Sequence, residues 1–211
     1  MDKKISTIIQ KYADSEILLD KLVVSSCCHY YGIETGKGYL SKFTPQEQDQ
    51  LAEDIELLAG NCNIENVIKI FEQAIPQAEK ITNGAVYTPK YIRDYIVEQT
   101  FKNQSKPVDG CLCADIACGC GAFLYTLAVY IHEHTKMPFV AIYHHLYGID
   151  ISKTSIGRAK ILLALLAKTN KEDVEDSDFK LFCGDALTFN IATMPDVEAN
   201  GGLDIIVGNP P

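Results

Sequence analysis

The spacing of apolar positions changes once along this chain, near residue 84. Before it, Leu51, Ile55 and Leu58 recur at intervals of four and three, and Val67, Ile68 and Phe71 form a second stripe. That is the period of helices with one buried face. Thr44-Pro45-Gln46-Glu47 reads as a capping box with proline at the first helical position, and Gly60 as the stop. Asn63 is placed to cap the second helix, and Pro76 to end it. Residues 1–83 are therefore expected to form a helical N-terminal region. Beyond them, short apolar runs alternate with helical patterns. Strands are expected over 111–116, 145–150, 179–183 and 203–207, with helices over 121–134 and 152–168. A further helix follows "GAVYTP", capped by Thr88 with Pro89 at its first position. Strands alternating with helices imply an α/β fold with a parallel, doubly wound sheet over residues 84–211.

Composition narrows this picture. The chain has 211 residues, 47% hydrophobic and 22% charged, which suits one core with a smaller second unit. No apolar run approaches the roughly 18 residues that cross a bilayer, and charges interrupt the N-terminus throughout, so the expected location is cytoplasmic with no membrane partner. The net charge of −9 is a poor whole-surface match for a phosphate backbone. Any nucleic-acid surface must be local or lie outside this chain. Cys111, Cys113, Cys118 and Cys120 pair with one residue between, where structural zinc sites have two to four, and are read as small buried side chains. His132, His134, His144 and His145 lie at a helix end and before a strand, and no metal is assigned. Tyr91 and Tyr95 share one helical face and are read as packing residues. The glycine-rich stretch 32–40 lacks the Gly-Lys-Ser/Thr ending of a phosphate loop.

The chemistry gathers at the ends of the expected strands. The first delivers Asp115 and then Ala117-Cys118-Gly119-Cys120-Gly121 before a helix containing Phe123. Glycines let the backbone approach a ligand, and a helix start offers free N–H donors. The second ends in Gly148-Ile149-Asp150-Ile151, with a carboxylate suited to ribose hydroxyls or to capping the next helix. The third is followed by Gly184-Asp185-Ala186-Leu187, where the acid suits an adenine amino group or a turn. The fourth, Ile205-Ile206-Val207, reads as a buried strand and releases into Asn209-Pro210-Pro211. Acids at successive carboxyl ends of a doubly wound sheet mark its usual ligand edge.

In this order the motifs resemble those of the adenine-specific, amino-methylating DNA methyltransferases of restriction–modification systems, both type I modification subunits and fused type IIG-like enzymes. "GAVYTP", "DIACGCGAF", "GID", "GDAL" and "IVGNPP" carry the resemblance over residues 84–211. It implies a Rossmann-like S-adenosylmethionine-dependent methyltransferase sheet, here its first four strands. The implied cofactor is S-adenosyl-L-methionine. Tyr87, Thr88 and Pro89 would close over its methionine end, Ala117–Gly121 would approach it, and Asp115 would lie near its ammonium. Asp150 with Ile151 would meet its ribose, and Asp185 with Ala186 its adenine. Asn209, Pro210 and Pro211 would form the catalytic motif.

The resemblance also implies double-stranded DNA as partner, through regions absent from this chain, and a specificity or restriction subunit. The family's pattern continues with an aromatic residue after the second proline. The chain stops before it, so a cofactor-binding half, inactive and poorly stable alone, is the expectation. Two alternatives stay open: transfer to a protein glutamine or an RNA guanine, whose enzymes share "NPP", and a fragment that only binds cofactor.

Overall fold

The computed structural model describes residues 3–46, 49–76 and 88–211. Four helices come first: α1 (Lys3–Lys11), α2 (Glu16–Tyr31), α3 (Ala52–Ala59) and α4 (Ile64–Gln73). α4 starts where its cap predicts, the Asn63 side chain accepting the Asn66 N–H at 3.0 Å. α3 does not start at Thr44. That residue ends a 3-10 turn in extended backbone, its hydroxyl bonded to Thr35 Oγ1 at 2.8 Å, and the helix begins at Ala52. Glu47 of the expected box lies outside the described residues. α5 (Lys90–Lys102) also starts later than expected. Pro89, at ψ 146, is still extended and acts as the cap, leaving Thr88 in front of it.

Strands and helices then alternate: β1 (Cys113–Asp115), α6 (Ala122–Thr135), α7 (Phe139–Tyr143), β2 (Leu146–Asp150), α8 (Lys153–Thr169), β3 (Lys180–Cys183), α9 (Pro195–Asn200) and β4 (Ile205–Ile206). The strands form one parallel sheet in the order β3-β2-β1-β4. The chain winds outward from β1 through β2 to β3, then returns to place β4 on the other side of β1. The switch point therefore lies between β1 and β4. α7 and α9 are too short to show an apolar period. α7 follows Pro138 and starts on the Glu172 carboxylate, which accepts the Phe139 and Val140 N–H groups, each at 3.0 Å. α9 starts on Pro195 and stops at Gly201, at φ +79.

One face of the sheet carries the main core. Leu124 and Leu127 of α6 and Leu162 and Leu165 of α8 belong to the same buried cluster as Leu22 and Val23 of α2 and Val67 and Phe71 of α4. The N-terminal helices thus pack directly on the helices of the sheet. On the opposite face Leu112, Ala114 and Tyr147 bury Val197 of α9 in a smaller cluster. Asp204 pins β4 against β1. Its carboxylate accepts the Leu112 N–H and a Lys106 proton, each at 2.8 Å. The β4 run is not buried throughout: Ile205 and Val207 point inward and Ile206 is 57% exposed, because β4 is an edge strand among the described residues. None of the described helices is long and apolar enough to cross a membrane.

Candidate active site

Parallel alignment brings the carboxyl ends of all four strands to one edge, and Asp115, Asp150, Asp185 and Asn209-Pro210-Pro211 lie at or just past those ends. Asp115 ends β1, opposite Gly148 of β2. Its side chain is 2% exposed. One carboxylate oxygen accepts the Ala117 N–H at 3.1 Å, which starts the turn into the glycine loop. Burial, with the neighbouring Asp150 charge adding to it, pushes the carboxyl up to about 7, against the pull of the Ala117 hydrogen bond. A buried acid held this way favours a proton or a cationic partner.

The loop is tied to the next strand. The Cys118 N–H donates to the Ile149 carbonyl at 2.9 Å, and the Gly119 N–H to Asp150 Oδ2 at 2.8 Å. Asp150 Oδ1 accepts the Ser152 N–H at 2.9 Å. Ser152 caps α8, its hydroxyl accepting the Ser155 N–H. Asp150 therefore holds the loop and the approach to α8 together, with each oxygen keeping a second lone pair for a ligand. Gly119, at φ +51, has nothing near the place a Cβ would occupy, so this stretch of backbone is open to a ligand. Cys118, Gly121 and Phe123 are instead buried behind the loop, where they shape it rather than face outward. A Cβ on Gly121 would meet Ala159 of α8 at 3.0 Å.

The far side is shallower. Asp185 is exposed, and its Oδ1 accepts the Leu187 N–H at 2.9 Å in a local turn. Ala186 is half-buried, and Ile151 is 61% exposed beside Asp150. At the switch point, Asn209, Pro210 and Pro211 are exposed beyond β4. Thr88 and Pro89 are half-buried ahead of α5. Tyr87 lies outside the described residues.

Two residues at this edge escape sequence reasoning. Gly208 sits against Asp115, and a Cβ there would lie 2.5 Å from its Oδ1. Arg93 is fully buried and donates to the Thr88 carbonyl ahead of α5 and to the Ala122 carbonyl at the start of α6. Glycine in "IVGNPP" was a visible signal; the arginine had none, because its partners Glu65, Ala122 and Thr126 lie far along the chain. The tyrosines are corrected: Tyr91 and Tyr95 are 72% and 64% exposed on α5, whose buried side carries Arg93, Val97 and Phe101. The histidines have separate partners, with His132 Nδ1 on the Met137 carbonyl and His134 Nδ1 on that of Tyr130, each at 2.7 Å. Cys111, Cys113, Cys118 and Cys120 are all buried free thiols.

Comparison with known proteins gives the following. The family described as N-6 DNA Methylase matches residues 64–211. No curated protein matches. Among solved structures, the type IIG restriction endonuclease BpuSI is similar over 100% of this chain and 27% of its own, at 10% identity and a TM-score of 0.64. The methyltransferase subunit of a type I restriction-modification system from Streptococcus thermophilus is similar over 81% of this chain and 31% of its own, at 14% identity and a TM-score of 0.48. The chain thus spans about a quarter of the length of the first and under a third of the second.

Proposed function

The chain belongs to the N-6 DNA methylase family, and from that premise we propose that it binds S-adenosyl-L-methionine and presents the acceptors that methylate the exocyclic amino group of adenine in DNA, within a cytoplasmic restriction–modification system. The observation that carries this is the meeting, at the β1–β4 switch point, of a buried acid on the glycine loop with the start of the Asn-Pro-Pro segment. Doubly wound sheets bind their ligands at that point.

The site suits the cofactor in three respects. Asp115 is a buried carboxyl whose raised affinity for protons an ammonium would relieve. The Gly119 backbone lies open, and each Asp150 oxygen, accepting one N–H, retains a lone pair for a ribose hydroxyl. Thr88 and Pro89, with Tyr87, would close the methionine end. Asp185 with Ala186 would receive the adenine, and Ile151 offers an apolar surface beside it. Cys118, Gly121 and Phe123 support the loop from behind. When bound, the cofactor supplies an electrophilic sulfonium methyl.

The chain's own part in the transfer is to prepare the acceptor nitrogen. The adenine amino nitrogen is a poor nucleophile because its lone pair is delocalised into the ring. The Asn209 side-chain carbonyl and the Pro210 backbone carbonyl accept hydrogen bonds from its two N–H groups and draw it toward tetrahedral geometry. Pro210 has a fixed φ and Pro211 no N–H, which keeps the segment stiff. Pro211 thereby completes the motif. The target base must leave the duplex to reach these acceptors. Residues outside this chain would read the sequence and stack on the base. Residues 1–83 would form a helical unit that joins the 84–211 methyltransferase unit.

Two variants test the reading in the intact protein. Asn209→Ala is expected to lower methyl transfer to DNA adenine by on the order of 10²–10³-fold while calorimetry still shows cofactor binding. Asp150→Ala is expected to weaken that binding by about 100-fold, as two charged hydrogen bonds to ribose would. Full transfer by Asn209→Ala, or transfer to protein glutamine or RNA guanine in preference to DNA, would sink it.

A further inference from the structure

We propose that Arg93 is a positioning residue for the cofactor loop and that the N-terminal helices, through Glu65, are part of the support of that loop; this rests on the reading of the loop as the S-adenosylmethionine site. The guanidinium is 0% exposed, yet four groups from three segments converge on it. Nε donates to the Thr88 carbonyl at 3.1 Å. Nη1 donates to the Ala122 carbonyl at 2.7 Å and to Thr126 Oγ1 at 2.9 Å. Nη2 donates to Glu65 Oε2 at 2.7 Å.

Those partners are not arbitrary parts of the core. Ala122 is the first residue of α6 and follows Gly121 directly, so its position sets where the glycine loop ends. Thr88 belongs to the segment ahead of α5 that would close over the methionine end. One planar fork therefore fixes the loop's exit and the opposing wall relative to each other, which a flexible ammonium could not do. Glu65, in the first turn of α4, supplies the counter-charge from the N-terminal helices. Without it a buried guanidinium would be left facing only neutral acceptors.

A second buried arginine repeats the connection. Arg158 of α8 reaches Asp20 of α2 at 3.1 Å, and its charge acts on the thiol of Cys120 in the glycine loop. Both arginines place a charge next to the loop and find their carboxylates in the N-terminal helices. That arrangement gives residues 1–83 a task beyond covering apolar surface.

The test uses the intact protein and separates positioning from mere stability. Arg93→Lys keeps the charge and loses the fork, and Glu65→Gln keeps the shape and loses the counter-charge. Each is expected to raise the Kd and KM for S-adenosylmethionine by about tenfold, the effect of losing one charge-assisted hydrogen bond. For Glu65→Gln, kcat at saturating cofactor and KM for DNA stay within about twofold of wild type. A purely structural role would instead lower the melting temperature and the active fraction, leaving the Kd of the folded molecules unchanged. That result in either folded variant overturns the proposal. Should neither fold, Thr126→Val decides by the same split, with an expected rise of about threefold. If wild-type protein shows no cofactor binding, the methyltransferase reading itself fails. If wild type binds and the variants bind equally, only the role of Arg93 and Glu65 fails.

Discussion

A central and an outer position on the ligand edge are built from the same residue type in opposite ways. On central β1 Asp115 is buried, its carboxyl is pushed up to about 7, and Gly208, just past β4, presses against it. At the β3 end Asp185 is exposed and spends one oxygen on its own turn. The difference follows from topology. β1 has a neighbour on each side and the switch point above it, while β3 is an edge strand among the described residues. A central acid is deprived of water by its neighbours and becomes sensitive to the charge of whatever binds. An edge acid remains hydrated and its neighbours are nearly independent of it. Function should therefore be most fragile near Asp115 and most tolerant near Asp185.

The sharpest way to break this contrast is Gly208→Ala. The added Cβ would fall 2.5 Å from Asp115 Oδ1 and 3.2 Å from its Cγ, closer than atoms tolerate. Gly208 does not have a positive φ, so the variant carries no backbone strain and tests the contact alone. Either Asp115 or the segment leading to Asn209 must move. Methyl transfer is expected to fall by about 100-fold, the cost of a misplacement near 1 Å. Activity within twofold of wild type would mean that this contact does not set the position of the acceptors.

A second effect should appear in the pH dependence. Because the folded protein holds the Asp115 proton up to about pH 7 and the unfolded chain releases it near 4, the folded state binds more protons in that window. Stability of the free protein should fall as pH rises from about 4 to about 7, by on the order of 4 kcal/mol from this group. Asp20, raised to about 6 by burial against the pull of Arg158, contributes with the same sign. Asp115→Asn removes only the first contribution, so urea unfolding at several pH values should give a flatter curve than wild type. Cofactor affinity should move the other way, rising through about pH 7 in wild type and not in the variant. Parallel stability curves for the two proteins would show that Asp115 does not hold its proton in the folded state.

The same contrast explains what could be read from the amino-acid order. Strand ends, the glycine loop and the Asn63 cap depend on neighbours within a few residues, and all were legible. The Thr44 cap failed although its pattern was as good, because its hydroxyl is taken by Thr35 and the chain turns before α3 begins. Tyr91 and Tyr95 share a face as their spacing says, but which face is buried depends on where α6 lies, and Arg93 takes the inner side. The crowding of Asp115 by Gly208, and the meeting of Arg93 with Glu65 and Ala122, join segments far apart in the chain. No local pattern announces them. Acid positions were thus readable, whereas their environments, which divide Asp115 from Asp185, were not.

Asp185→Ala should show the smallest effect, and its smallness is informative. The side chain gives up the 2.9 Å bond to the Leu187 N–H, but that N–H belongs to a residue 94% exposed and can turn to water. The backbone carbonyl of Asp185 still accepts from Thr188 and Phe189, so the turn keeps its main-chain bonds. Stability should change by about 0.5 kcal/mol, as at an exposed position. Cofactor affinity should fall by about threefold to tenfold, one solvent-screened hydrogen bond to an adenine amino group. Unfolding and calorimetry on the same preparation measure both. A loss as large as that of Asp150→Ala would mean that the bound state buries Asp185, so that the exposed end of the edge becomes like the buried one when the site fills.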